Sequence, residues 1–209
     1  MKRVNLLAST LALTVAPSMA TAAPVIFAGN GHSYQVVSGP QDWIAAEAAA
    51  EVLGGYLATI TSAEENAFVA SLLPTSGTNI RGWLGGSDAQ TEGTWQWVVG
   101  PEAGQTFYIK GGSSQPGYSN WSAIGGEPNS GGGDEDYAEM FGSADLESGR
   151  STWNDLAEAG TPDILSIVEF NAPAAAVPEP ASWAMMIVGV GLIGAGLRDR
   201  QRRAVLRYV

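Results

Sequence analysis

Residues 125–137 read GGEPNSGGGDEDY, and this stretch decides how the rest of the chain is interpreted. It contains four carboxylates and one carboxamide among five glycines. Glycine at this density favours a loop over a helix or a strand. Carboxylates so close together repel one another unless water or a cation offsets the repulsion. Two interpretations are therefore open, a cation-binding loop and a solvated acidic loop.

The N-terminus has the pattern of a secretory signal peptide. Lys2 and Arg3 precede an apolar run over 4–15, and small residues follow at 18–23. A basic start, a short apolar run and an A-x-A-like site are typical of an exported protein. The sequence predicts a signal peptide over residues 1–23.

The C-terminus carries a second targeting pattern. Pro178-Glu179-Pro180 precedes an apolar, glycine-rich span over 181–197, and four arginines follow within 198–203. A span of this length is at the lower limit for crossing a bilayer, and the arginines would hold their end in the cytoplasm. The order resembles the PEP-CTERM sorting signal of Gram-negative bacteria.

The resemblance implies a linker with the PEP motif at 172–180, a transmembrane segment at 181–197 and a basic cytoplasmic tail at 198–209. It also implies an exosortase-type processing enzyme as a partner. Anchoring in the inner membrane would be transient, followed by release or by transfer to the cell surface or extracellular matrix.

Between residues 24 and 176 the chain is strongly acidic. Three basic residues, Arg81, Lys110 and Arg150, stand against nineteen Asp and Glu residues. A domain with this balance repels nucleic acid and anionic membrane surfaces and favours cations and neutral ligands. The chain has no cysteine, so an exported domain here folds without disulfides.

Hydrophobic patterning predicts helices in the first half of this region and strands in the second. Asp42 can cap a helix over 43–53, and Ser62 with Glu65 forms a capping box before a helix that Pro74 ends. Strands are predicted at 25–27, 33–37, 56–60, 83–86, 94–98, 137–141, 151–153 and 165–170. Residues 100–135 show little periodicity and are predicted to form a long functional loop. This order of elements indicates an α+β fold.

Several short motifs occur in an order that resembles the C-type lectin-like domain. They are Gly54-Gly55-Tyr56-Leu57-Ala58-Thr59-Ile60, Trp83-Leu84-Gly85-Gly86, Glu127-Pro128-Asn129, Glu135-Asp136, Trp153-Asn154-Asp155 and Val168-Glu169-Phe170. The resemblance covers most of residues 27–170 and identifies 24–171 as one domain. It implies two helices with small antiparallel sheets and a long calcium-binding loop.

The same resemblance implies a Ca²⁺ site made by Glu127, Asn129, Glu135, Asn154 and Asp155. Three carboxylates and two amide carbonyls would give about −3 of formal charge, which suits a cation that takes roughly six to eight oxygen ligands. Zinc is disfavoured because the set contains neither Cys nor His. The family also implies a cis Glu127–Pro128 bond. The neighbouring Asp134 and Asp136 are predicted to support the ligands or to face solvent.

Sugar binding is implied at Glu127, Asn129, Glu135 and Asn154. Carboxylates accept and amides donate hydrogen bonds, so together they match a pair of adjacent hydroxyls on a pyranose. In the family, Glu-Pro-Asn accompanies mannose- and glucose-type sugars.

The aromatic residues fall into two groups. Trp121 and Tyr118 lie in the polar loop and are candidates for stacking on a sugar ring. Trp83, Trp95, Trp97 and Trp153 are predicted to be core residues. His32, the sole histidine, is predicted to be an ordinary surface residue.

Three function classes follow. The first is an exported, calcium-dependent carbohydrate-binding protein of the envelope or exopolysaccharide matrix. The second is a structural or adhesive domain of the same fold, in which calcium stiffens the loop and no sugar binds. The third, a hydrolase using Glu127 and Glu135, is disfavoured because a metal would occupy both carboxylates and no nucleophile–His–acid set is present. The sequence therefore predicts a binding protein and no enzyme.

Overall fold

Two short helices and nine strands form the part of the chain that the computed structural model describes, residues 23–76, 80–131, 133–142 and 150–172. The helices are α1 (Trp43–Val52) and α2 (Ala63–Leu72). The strands are β1 (Val25–Ile26), β2 (Ser33–Ser38), β3 (Tyr56–Leu57), β4 (Arg81–Ser87), β5 (Thr94–Trp97), β6 (Thr106–Ile109), β7 (Tyr137–Phe141), β8 (Trp153–Leu156) and β9 (Leu165–Phe170). The predicted α+β class is confirmed.

Both helices begin at the predicted cap residues. The Asp42 carboxylate accepts the Ala45 N–H at 2.9 Å, and the Ser62 hydroxyl accepts the Glu65 N–H at 3.1 Å. The Glu65 carboxylate accepts the Thr61 N–H at 2.7 Å, one residue before the cap. The capping box thus reaches one residue further back than the motif predicts.

The strands form one connected, mixed sheet in place of the predicted small antiparallel sheets. β4 lies at its branch point: it pairs antiparallel with β5 and β7, and parallel with β9. The parallel contact runs through Gly82 and Trp83 of β4. A Cβ at Gly82 would come within 2.7 Å of the Ile167 side chain on β9. The glycine therefore permits β4 to lie this close to β9.

Two strands differ from the sequence prediction. β6 lies inside the region predicted to be a continuous loop, where Thr106 to Ile109 pair with β5. β8 starts at Trp153, two residues later than predicted, because Ser151 has a left-handed backbone with φ of 58°. The later start sets the register that places Asn154 opposite Glu139 and Asp155 opposite Ala138 of β7.

Trp153 anchors β8 in the hydrophobic core. Its side chain is fully buried, as are those of Trp83 and Trp95, while Trp97 is 2% exposed. This confirms the four predicted core tryptophans. The Trp153 indole N–H donates to Asn66 Oδ1 on α2 at 2.7 Å. Because β8 is fixed by this buried contact, the two polar residues that follow Trp153 have defined positions.

His32 is not an ordinary surface residue. Its Nδ1 lies 2.5 Å from Oε1 of Glu169, which is 1% exposed near the C-terminal end of β9. Burial raises the pKa of the Glu169 carboxyl, and the hydrogen bond from His32 lowers it. The contact joins the N-terminal hairpin to the C-terminal strand, and the local sequence around His32 gives no sign of it.

The predicted signal peptide up to residue 22, and the whole of the predicted PEP motif, transmembrane segment and basic tail, lie outside the described part of the chain. Within that described part, none of the helices has both the length and the apolar character needed to cross a membrane.

Candidate cation-binding site

Asp155 of β8 ties the glycine-rich loop to the sheet. Its carboxylate is 1% exposed and accepts two backbone N–H groups of the loop, from Asn129 at 3.1 Å and from Ser130 at 2.7 Å. Such paired hydrogen bonds to a buried carboxylate are stronger than bonds between neutral groups. The Glu-Pro-Asn motif and the Trp-Asn-Asp motif, predicted to share one site, are thus in direct contact.

Two oxygens of the predicted ligands are buried without a hydrogen-bond partner. They are Oε2 of Glu127 and Oδ1 of Asn129. An unpaired buried oxygen is costly. Burial, followed by the hydrogen bond and charge of Asp155 and the charge of Glu135, raises the pKa of Glu127 to about 7. A cation among these oxygens would relieve both the missing partners and the repulsion, so the residues present fit Ca²⁺.

Two glycines leave room for the side chains of Glu127 and Asn129. A Cβ at Gly125 would collide with Oε1 of Glu127, and a Cβ at Gly131 would collide with Oδ1 of Asn129. The Glu127–Pro128 peptide bond is cis, as the family resemblance implies. Any residue larger than glycine at either position would therefore displace a predicted ligand oxygen.

Asn154 and Glu135 lie at the edges of this group. The Asn154 amide nitrogen donates to Oε1 of Glu139 at 2.9 Å and to the Asp155 carbonyl at 2.5 Å. The charge of Glu135 raises the pKa of both Glu127 and Glu139. Burial is the main reason that the pKa of Glu139 rises to about 7, while Arg81 and Asn154 lower it.

The two candidate stacking residues belong to a cluster of aromatic rings. Trp121 is half-buried, and its ring centroid lies 4.6 Å from Trp95 and 5.8 Å from Trp153. Tyr118 is also half-buried and meets Trp153 edge-on at 5.7 Å. Both rings therefore contribute to packing beneath the loop, and stacking on a sugar stays a prediction.

A second acidic cluster lies close to the first, and the sequence analysis missed it. Carboxylate oxygens of Asp88, Glu92 and Asp136 all lie within 4.8 Å of one another. Asp88 is 3% exposed, and its Oδ1 has no hydrogen-bond partner. Burial raises the pKa of Asp88 to about 6, with smaller contributions from Glu92, Asp136 and Asp155.

Asp136 belongs to this second cluster, while Asp134 is exposed. Ser130 links the two clusters, because its N–H binds Asp155 and its hydroxyl donates to Glu92 at 3.1 Å. One sequence signal could have predicted this cluster: Asp88 and Glu92 stand four residues apart, shortly after Trp83-Leu84-Gly85-Gly86.

Comparison with known proteins identifies the two parts of the chain. Residues 40–158 match the Lectin C-type domain, and residues 176–203 match the PEP-CTERM protein-sorting motif. Halomucin of Haloquadratum walsbyi (strain DSM 16790 / HBSQ001) is 43% identical over 121 residues, which are 55% of this chain and 1% of halomucin. C-type lectin domain family 4 member M of Symphalangus syndactylus is 36% identical over 126 residues, 60% of this chain and 24% of that protein. The chain thus spans a small part of these curated relatives.

Solved structures agree with the sequence matches. The carbohydrate-recognition domain of cow CD23, crystallised in the presence of GlcNAc2Man3 oligosaccharide, superimposes with a TM-score of 0.52 and 27% identity. That match covers 75% of this chain and 98% of the CD23 domain. The carbohydrate-recognition domain of the mouse scavenger receptor C-type lectin has a TM-score of 0.51 at 22% identity, and the match covers 73% of this chain and 96% of that domain. At this identity the likeness shows the fold alone.

These matches decide between a binding protein and an enzyme. C-type lectin domains are non-enzymatic carbohydrate-binding proteins, which confirms the prediction against a hydrolase. The sorting motif indicates an exported protein that is anchored in the membrane of a Gram-negative bacterium through an exosortase. The chain belongs to the C-type lectin domain family and carries a PEP-CTERM sorting motif.

Proposed function

We propose that the protein binds carbohydrate in a calcium-dependent manner, in the envelope or the exopolysaccharide matrix. The observation that carries this proposal is the pair of buried, partnerless oxygens on Glu127 and Asn129 beside the buried carboxylate of Asp155. A calcium ion would supply the missing partner of both oxygens and could accept further oxygen ligands from a sugar.

Five side chains would hold the principal Ca²⁺: Glu127, Asn129, Glu135, Asn154 and Asp155. Bound calcium would neutralise their charge and offer coordination positions to two sugar hydroxyls. The protein's own part is to fix the donors. Asp155 holds the loop backbone through two N–H groups, and the glycines leave space for the ligand oxygens.

A second Ca²⁺ at Asp88, Glu92 and Asp136 is part of the proposal. The unpaired Oδ1 of buried Asp88 supports it, as does the proximity of the Asp88 carboxylate to those of Glu92 and Asp136, which one ion could bind together. Through Ser130, this second ion would help to hold the loop that carries the principal site.

The sugar is proposed to be of the mannose or glucose type. The Glu127 and Glu135 carboxylates would accept hydroxyl hydrogens, and the Asn129 amide would donate to a hydroxyl oxygen. The Asn154 amide hydrogens are already bound to Glu139 and to the Asp155 carbonyl, so Asn154 would contribute through its oxygen alone. The presence of GlcNAc2Man3 oligosaccharide with the cow CD23 domain, a relative with the same fold, supports this class. Trp121 and Tyr118 would provide the apolar wall of the site.

The proposed path of the chain follows from its two ends. A signal peptide at 1–23 would direct export, and the segment at 181–197 would anchor the protein until an exosortase-type enzyme acts on Pro178-Glu179-Pro180. The lectin domain at 24–171 would then meet surface glycan or exopolysaccharide. Its excess of acidic residues argues against nucleic acid as a partner.

A structural or adhesive role without sugar binding is the second candidate. The observation in its favour is that Asp155 serves the loop backbone as well as the site, so a calcium ion here would also stiffen the loop. Thermal destabilisation by chelator, with no glycan bound in any buffer, would support this second role.

Retention of the full chain on mannose–agarose tests the proposal, with the protein kept in mild detergent. We expect retention in millimolar calcium, elution by EDTA, and no retention of Asn154→Ala or Asp155→Ala. Asp134→Ala removes an exposed carboxylate from the same loop and should be retained like the wild type. Retention of both site variants would show that the site lies elsewhere.

A further inference from the structure

Three neighbouring strands, β4, β7 and β8, place an ion pair beside Asn154. Glu139 of β7 is paired with Trp83 of β4 on one side and with Asn154 of β8 on the other. Arg81 lies two residues before Trp83, so it shares the same face of β4. Its Nη1 lies 2.8 Å from Oε1 of Glu139, which is fully buried. The sheet register therefore places the Glu139 carboxylate directly beside the Asn154 carboxamide and diagonal to the Arg81 guanidinium, on one face of the sheet.

The same Glu139 oxygen accepts a hydrogen bond from the Asn154 amide nitrogen at 2.9 Å. The second hydrogen of that amide is directed to the Asp155 carbonyl. The Asp155 carbonyl has no hydrogen to donate, and neither has Glu139 when it is ionised beside Arg81, so reversing the amide would place its oxygen against two acceptors. The orientation of the Asn154 side chain is fixed by these contacts, and its carbonyl oxygen is the atom left for a cation.

We propose that Glu139, held in place by Arg81, is a positioning residue for the cation site: it binds the Asn154 N–H and thereby presents the Asn154 oxygen as a preformed ligand. This inference rests on the proposed function, because it assigns a role toward the principal calcium ion. Glu139 itself does not touch the ion in this scheme and acts through Asn154 alone.

Arg81 is needed because a lone carboxylate would be costly at this depth. Its side chain is 21% exposed, stacks over the Phe141 ring at 5.1 Å and reaches Glu139 from the side opposite Asn154. Breaking a buried ion pair by removing one partner leaves an uncompensated charge, whereas replacing both partners is often tolerated. Variants that change both residues therefore separate positioning from folding.

Two double variants form a matched pair. Arg81→Met with Glu139→Leu removes both charges and the acceptor for Asn154. Arg81→Met with Glu139→Gln removes both charges and keeps a carbonyl acceptor at the same distance along the side chain. Groups that orient a metal ligand typically contribute about 10- to 100-fold to metal affinity. We expect calcium affinity, measured by isothermal titration, to fall by about that factor for the Leu variant and by less than about threefold for the Gln variant.

A readout without calcium uses the unmodified chain. In EDTA, the side-chain amide hydrogens of Asn154 should exchange slowly in nuclear magnetic resonance spectra, because both are hydrogen-bonded, and should exchange fast in the Leu variant. Fast exchange in the wild type would overturn the proposal even if neither double variant folded.

The possible failures are distinguishable. If the wild type binds calcium and the two double variants bind it equally, the positioning role is wrong and the proposed function stands. If the wild type binds no calcium, the proposed function fails, and the exchange measurement in EDTA still decides whether Glu139 orients Asn154.

Discussion

Glu127→Gln should change stability with opposite signs in the absence and presence of calcium. Without calcium, Glu127 is ionised at pH 8 beside Asp155 and Glu135, and its Oε2 has no partner. Glutamine has the same shape, removes one charge and supplies an N–H for Asp155. The variant should therefore be more stable than the wild type in EDTA, because a site built for an ion is strained without one.

The magnitude follows from the pKa of Glu127, which burial and Asp155 raise from 4.5 to about 7. The full pKa difference corresponds to about 3 kcal/mol of unfolding free energy. Solvent screening of this half-buried side chain reduces that figure to about 1 kcal/mol. A domain of this size gains roughly 2–4 °C in melting temperature per kcal/mol. A raised pKa in the folded state gives stability that is present below pH 4.5 and lost as the pH rises through about 7. The advantage of the variant should therefore appear at pH 8 and vanish at pH 4.

In calcium, the wild type should be more stable than the Glu127→Gln variant. At a concentration of about 100 times its dissociation constant, a ligand stabilises the folded state by about 2.7 kcal/mol. The wild type should gain roughly 5–10 °C, and the variant should gain little. Tryptophan fluorescence on heating measures both effects, with Asp134→Asn as a control for loss of an exposed charge. If Glu127→Gln lowered the melting temperature in EDTA at pH 8, the carboxylate would be serving the fold and the reasoning would be refuted.

Three further predictions concern the two acidic clusters. Gly131→Ala places a Cβ against the flexible end of the Asn129 side chain, so the melting temperature in EDTA should be unchanged. Calcium affinity, measured by titration calorimetry, should fall about tenfold because the Asn129 oxygen is displaced. Unchanged affinity would contradict the assignment of Asn129 as a ligand. Asp88→Asn should lower the number of bound calcium ions from two to one in the same assay, and an unaltered number would remove the second site. Below pH 7 calcium must displace the proton of Glu127, so calcium affinity should fall roughly tenfold per pH unit from pH 7 to pH 5. If calorimetric titrations over this range gave the same calcium affinity at every pH, Glu127 would not be a ligand.

The sequence predicts those parts of the fold that depend on neighbouring residues. The side chains of Asp42 and Ser62 cap their helices by binding N–H groups three residues further along the chain. β9 matches its predicted bounds because β-branched and aromatic residues occupy half of its six positions. β6 was missed because its four residues stand between glycine-rich turns and are too few to show a period.

Contacts between distant residues could not be predicted in this way. Arg81 and Glu139 are 58 positions apart and meet only because β4 pairs with β7. Asp88 and Asp136 meet for a similar reason, at the neighbouring ends of the same two strands. An isolated acidic residue in the sequence gives no indication of its partner, so the ion pair behind Asn154 and the second acidic cluster required the sheet register.

Binding of the full chain to a glycan array, once in millimolar calcium and once in EDTA, tests the central proposal most directly. We expect signal on mannose- or glucose-type glycans in calcium and its loss in EDTA. Equal signal in both buffers would contradict calcium dependence. The absence of signal in both, with calcium still raising the melting temperature, would contradict sugar binding and favour the structural role.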